Sequence, residues 1–312
     1  MVSVIQLIKR GKELFDSGKY ADAYSEFVDA LANLTYGGKE GEVLKNDIIR
    51  LIGITEIKLG MYDKAIERLK GLTMVSDSPE VLYYLSLAQY YYSFFESSAQ
   101  KRLELLKSAL QLALSVYERT KLGNSLIAVI LAEMGQLEKA EKFAKNSVLA
   151  RAKIYEVKGE LNVALNEIEK ADKGDIDAQI EKALILAKMG NTGEALVTLN
   201  YVEAVEPTNS LAKLYKAELL ESLGRTYEAY SIYKELDKTL YSPLVKLKLD
   251  SLSKQVSPVI ESSKKEEFSS RLFKRLKPLK WDPRKWIGET FDGMYDVIEL
   301  IGEGGSSYVL KA

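Results

Sequence analysis

The 312-residue sequence contains no cysteine and no histidine. The first absence removes disulfides, thiolate zinc sites and cysteine nucleophiles; the second removes imidazole acid–base chemistry and imidazole metal ligation. Proline is scarce, with six residues, and tryptophan scarcer, with two. No apolar run reaches the length of a membrane span. The opening residues "MVSVIQLIKR" lack the basic start and small-residue cleavage pattern of a signal peptide, so a cytoplasmic location is expected. Charge of neither sign dominates, with 44 Lys and Arg against 45 Asp and Glu. It is unevenly spread: residues 256–290 hold 9 basic and 5 acidic side chains, a local net of +4 against −5 for the remainder. A mildly acidic body argues against nucleic acid as a partner, because a basic stripe would then run along it.

What is plentiful is helix-forming, apolar sequence, 46% hydrophobic, and it repeats. A glycine is followed five residues later by an alanine and one turn on by a large residue. "GKYADAYSEFVDA" supplies Gly18, Ala23 and Phe27; "GMYDKAIERLKGL" supplies Gly60, Ala65 and Leu69. The pattern returns at Gly135, Gly159, Gly190 and Gly224. Glycine at the turn takes the left-handed backbone that ends a first helix. Alanine then lets a second helix approach closely, and the large residue fills the groove beside it.

These residues resemble the tetratricopeptide repeat, whose period of 34 residues separates Gly190 from Gly224. The resemblance implies an all-α solenoid of about seven helical hairpins over residues 1–241. The other intervals drift: 42 residues from Gly18 to Gly60, and 24 from Gly135 to Gly159. The short interval predicts a clipped helix near 148–158. Residues 242–256, "SPLVKLKLDSLSKQV", read as a capping helix with Leu244, Leu247 and Leu252 as its buried stripe.

In this family the first helices of the hairpins line a concave groove that takes a peptide or protein partner. Carried onto this sequence, the groove positions are Arg50, Ile54, Gln89, Tyr92, Leu214, Glu218 and Glu221. One type of member clamps a C-terminal carboxylate, but Ile8, Lys12, Arg50 and Ile54 do not assemble that clamp. The stretch "YYLSLAQYYYSFF" (83–95) makes the groove tyrosine-rich, with rings that suit a half-wet surface.

Residues 257–290 form a basic linker in which Phe268, Leu272 and Leu276 recur every four residues among Lys264, Lys265, Arg271, Lys274 and Arg275. The spacing predicts a short amphipathic helix stopped before Pro278. Such a helix suits an acidic protein surface, including intrachain docking on the acidic repeats, or a solvated tether. Membrane contact is not expected. The chain ends on "MYDVIELIGEGGSSYVLKA", a strand, a glycine-rich turn and a second strand. A Rossmann turn would open into a helix, and a P-loop would need Gly-Lys-Ser/Thr. Residues 291–312 instead resemble the glycine-rich hairpin that starts a Ser/Thr protein kinase domain. Gly302 and Gly304 match its first two glycines, Ser307 stands where the third usually is, and Val309 matches the valine over the adenine. The resemblance implies that Gly302, Gly304, Gly305, Ser306, Ser307 and Val309 cradle ATP, with Mg, in an intact kinase. This chain holds no catalytic residue of that family and no cofactor of its own. The reading is therefore a protein-interaction and regulatory region of a kinase; the alternative is a free-standing adaptor or scaffold carrying a remnant hairpin.

Overall fold

A computed structural model describes residues 3–35 and 38–256 in full, the backbone of 257–265, and the backbone of short strands between 290 and 311. The described chain divides into two units, Met1–Val256 and Ser257–Ala312.

The first unit is a run of helices. These are α1 (Val4–Asp16), α2 (Tyr20–Ala32), α3 (Gly38–Lys58), α4 (Tyr62–Thr73), α5 (Pro79–Ser93), α6 (Ala99–Thr120), α7 (Asn124–Glu133) and α8 (Leu137–Ala144). They are followed by α9 (Val148–Lys158), α10 (Leu161–Ile168), α11 (Ile176–Lys188), α12 (Thr192–Val205), α13 (Ser210–Ser222) and α14 (Thr226–Thr239). Consecutive helices pack as hairpins, α1 on α2 through α13 on α14. The last helix, α15 (Pro243–Lys265), outruns the expected capping segment. Its buried face is Val245, Leu252 and Val256, with Leu244 half-buried. Leu247, expected in that stripe, is exposed at 56%.

Local chemistry explains where helices begin and end. Ser98, Ser147, Asp175 and Asn209 each accept a backbone N–H three residues on, and Ser3 forms a reciprocal capping box with Gln6. α3 closes with the Gly60 N–H on the Ile57 carbonyl at 3.0 Å and the Met61 N–H on Glu56 at 2.9 Å. That pair of hydrogen bonds requires a left-handed residue, and Gly60 has φ +71°.

The alanine five residues after each turn glycine is fully buried: Ala23, Ala65, Ala140, Ala164, Ala195 and Ala229 are all 0% exposed. One turn on, Phe27, Leu69, Ile168, Leu199 and Tyr233 are buried too. The first helices make room for them with glycine. A β-carbon at Gly11 would meet the Phe27 ring at 2.5 Å, and one at Gly53 would meet Leu69 at 2.8 Å. Within this core Glu56, wholly buried, is held by the Arg68 guanidinium in a two-pronged contact of 2.8 and 2.9 Å.

The drift in repeat length has a structural counterpart. α3 and α6 run to 21 and 22 residues, while α8 and α10 have only 8. The clip lies in these two second helices; α9, where it was expected, has 11 residues. No helix among the described residues is long and apolar enough to cross a membrane.

In the second unit, β1 (Thr290–Phe291) pairs antiparallel with β2 (Tyr295–Asp296), and β3 (Glu299–Gly304) with β4 (Ser307–Lys311). The basic amphipathic segment read over 264–276 lies, beyond Lys265, outside the described residues.

A candidate binding chamber inside the solenoid

The first unit closes on itself. Lys58, at the end of α3, faces Glu206 at 3.4 Å, and the Thr208 hydroxyl donates to the Lys58 carbonyl at 3.0 Å. The Tyr241 N–H donates to Asp63 at 3.0 Å. The Ser242 hydroxyl and the Leu244 N–H both donate to the Phe95 carbonyl, at 2.8 and 3.2 Å. Early hairpins thus touch late ones across roughly 150 residues of chain, and one hydrophobic core joins α4 and α5 to α11, α13 and α15. The turn at Gly60 lies so close to the α12–α13 loop that a β-carbon would fall on the Ser210 side chain and 2.7 Å from the Thr208 carbonyl.

Closure turns the inner face into a chamber. A cavity of about 370 Å³ is walled by α3 and α5 on one side and by α11 and the start of α13 on the other, with Phe15 of α1 at its edge. A second cavity of about 100 Å³ adjoins it, walled by α5, α7, α9, α11 and α13; Leu87, Tyr91, Asp177, Ile180 and Leu211 belong to both. α5 runs along the chamber and presents Tyr83, Tyr84, Tyr90 and Tyr91, with Phe94 just past its end. Burial pushes the Tyr90 and Tyr91 phenols well above their ordinary range, so both stay protonated donors.

Charged groups converge on the smaller cavity. Lys153 on α9 is 5% exposed and meets Glu133 at 2.6 Å, Glu181 at 3.3 Å and Glu156 at 3.4 Å. Lys188 also pairs with Glu156, and Arg102 reaches Glu133 at 2.7 Å with its guanidinium over the Phe94 ring. Burial alone would lower the Lys153 amine; Glu181 and Glu133 outweigh it and hold the amine well above its usual range. Glu156 is held below the carboxylate range because Lys153 and Lys188 overcome its desolvation. Glu181 goes the other way. Its burial wins over Lys153 and pushes its carboxyl up to about 7. Its Oε1 has no hydrogen-bond partner. One turn earlier on α11, Asp177 accepts from the Tyr91 hydroxyl at 2.8 and 2.9 Å. The protein around it raises its carboxyl, although the side chain still meets solvent through the chamber.

Of the positions assigned to the groove by the family pattern, Ile54 lines the chamber. Arg50 lies outside the lining, in ion pairs with Glu80 at 2.5 Å and Asp47 at 3.5 Å. Gln89 is buried, with its amide oxygen unpartnered, and Tyr92 packs half-buried against the core. Leu214, 1% exposed, belongs to the core and faces no groove. Glu218 is half-buried and its carboxyl is raised by that burial. Glu221 accepts from Tyr233 at 3.1 Å and from Lys248 at 2.9 Å, which ties α13 to α14 and α15. The pattern belongs to regular repeats, whereas the hairpin helices here range from 8 to 22 residues. The residues it missed are Lys58, Lys153, Asp177 and Glu181. Their signal was a charge on the otherwise apolar face of a first helix, as in "IDAQIEKALILAK", where Asp177 and Glu181 share a face with Leu184. Of the residues assigned to an ATP loop, Gly302, Gly304, Ser307 and Val309 lie in β3 and β4, while Gly305 and Ser306 fall outside the described residues.

No protein-family model and no curated protein matches the chain. Solved structures do. The human IFIT1 dimer with m7Gppp-AAAA is similar over 86% of this chain and 74% of its own, with 16% identity and a TM-score of 0.50. Yeast Tom70 is similar over 81% of this chain and 63% of its own, at 16% identity and 0.49. A tetratricopeptide repeat protein from Parabacteroides merdae ATCC 43184 covers 80% and 98%, at 12% identity and 0.45. At such identities the likeness is one of fold. With consecutive helices packed as hairpins, the first unit is a helical-hairpin solenoid.

Proposed function

We propose that the chain is a protein-interaction scaffold, serving as the regulatory region of a Ser/Thr protein kinase, and that its partner docks an apolar-anchored segment at the chamber. The observation that carries the scaffold reading is the solenoid with a tyrosine-lined inner face, where half-buried Tyr84 and the mostly buried Ile54 form part of the cavity wall. A polyanion fits the lining poorly. Asp175, Asp177, Glu181 and Glu206 outnumber Lys58 and Lys153 there, so nucleic acid would meet net negative charge.

Support for the kinase reading is in the sequence: Gly302, Gly304 and Val309 in register with "YDVIEL" before them and "LKA" after. A kinase of this kind would take ATP and Mg on residues of its catalytic domain, and a partner on the repeats would reach the chemistry only through the linker.

Selection from a displayed peptide library on the intact chain tests the docking reading. Peptides that bind should lose about 1–3 kcal/mol on Ile54→Ala or Tyr84→Ala. Binding indifferent to both would move the partner to the outer face. In a full-length polypeptide, deleting residues 1–256 should change phosphotransfer to a protein substrate; an unchanged rate contradicts a regulatory role.

A further inference from the structure

Partner docking leaves two features of the chamber unused. One is the excess of carboxylates over amines on its lining. The other is the bare Oε1 of Glu181, a side chain 5% exposed in the cavity wall. Its Oε2 already has Lys153 at 3.3 Å, so the unused lone pairs are those of Oε1. A buried oxygen in that state is costly until a donor arrives.

We propose that the chamber binds a primary alkylammonium group, with the nitrogen between Asp177 and Glu181. The two carboxylates are one helical turn apart on α11, about 5–6 Å between their β-carbons, a gap one ammonium spans with two of its three donors. Tyr90 and Tyr91 line the same cavity, and the Tyr91 hydroxyl fixes the Asp177 carboxylate there. Ile180, Leu87 and Leu211 line the path from the smaller cavity into the larger and suit an alkyl stem. The larger space, about 370 Å³, is within the range of small-ligand pockets. A metal ion fits less well, because no group of acidic side chains among the described residues converges as metal ligands do. The ammonium could belong to a free diamine or to the lysine side chain of a partner. The inference does not rest on the docking reading, and the variants that test the two differ.

Calorimetry on the intact chain, at low ionic strength and above the pH where Glu181 ionises, provides the test. The probes are 1,4-diaminobutane, N-acetyl-lysine methylamide and, as a sign control, butanedioate. Either amine should bind saturably at one per chain, and Asp177→Asn or Glu181→Gln should each weaken it at least about tenfold. Tighter binding of the diamine identifies a free amine as the ligand; tighter binding of the lysine derivative identifies a side chain. Both amines, and not butanedioate, should raise the wild-type melting temperature, which keeps the test intact should a variant fold poorly. Absence of saturable amine binding, indifference to both substitutions, or equal binding of butanedioate overturns the proposal.

Discussion

The Tyr91 hydroxyl lies 2.8 and 2.9 Å from the two carboxylate oxygens of Asp177, a residue 86 positions later in the chain. The contact joins α5 to α11 across the chamber. Tyr91→Phe keeps the ring and removes the donor. Because Asp177 retains solvent access, the cost should be modest, about 0.5–1.5 kcal/mol in urea unfolding. A loss above about 3 kcal/mol would mean that Asp177 is sealed from water.

Gly60 and Gly190 both have positive φ, +71° and +85°, but only Gly60 is crowded. Gly190→Ala should cost about 1–2 kcal/mol, the strain of a left-handed alanine. Gly60→Ala adds the collision with Ser210 and the Thr208 carbonyl, so it should cost more and loosen the contact between early and late hairpins. Thermal unfolding of the pair checks the order. Equal losses would contradict the close approach.

Arg68 is the cation that compensates Glu56, with the Tyr24 phenol as a neutral neighbour, and Arg68→Ala removes that cation. A carboxylate at 0% exposure is then left without a counter-charge. Chemical denaturation should show a loss of about 3 kcal/mol. Arg68→Ala with Glu56→Leu should recover much of it, since the uncompensated charge is then gone.

Glu181 makes stability depend on pH with a definite sign. Burial raises its carboxyl from 4.5 to about 7 in the folded chain, so the folded state binds the extra proton between those values. Its contribution is therefore fully present below about 4.5 and is lost as pH rises through about 7. Asp177 and Glu218, also raised by burial, act in the same direction, while Glu156 and Glu167, lowered by their cation partners, act in the opposite one. Lys153 keeps Glu133 and Glu156 when Glu181 is neutral. Glu181→Gln should thus raise the melting temperature above pH 7 relative to wild type and change little near pH 5. An equal shift at both would contradict the raised carboxyl.

The repeats were legible because they are written locally. A turn glycine such as Gly60 and a crossing alanine such as Ala65 sit five residues apart and act on the same hairpin, so spacing alone predicts their burial. The tyrosine-rich helix was legible for the same reason, since α5 carries its rings wherever it packs. Closure was not. Lys58 and Glu206 are 148 residues apart, and no local spacing in the sequence brings them together. Leu214 and Leu247 show the same limit at single residues. Each has a plausible apolar periodicity, but one faces the core and the other solvent because neighbouring helices set the rotation. Asp177 and Glu181 become a pair of interest only once the fold places both in the wall of one cavity.

Zero-length carbodiimide coupling on the unaltered chain tests that closure most directly. The reagent joins an amine to a carboxylate only where the two are already in contact, and the Lys58 Nζ is 3.4 Å from the Glu206 Oε1. Peptide mapping of the monomeric product should recover a Lys58–Glu206 amide. Recovery of couplings confined to single hairpins, such as Lys213 with Glu235, without Lys58–Glu206 would show an open solenoid and contradict the chamber.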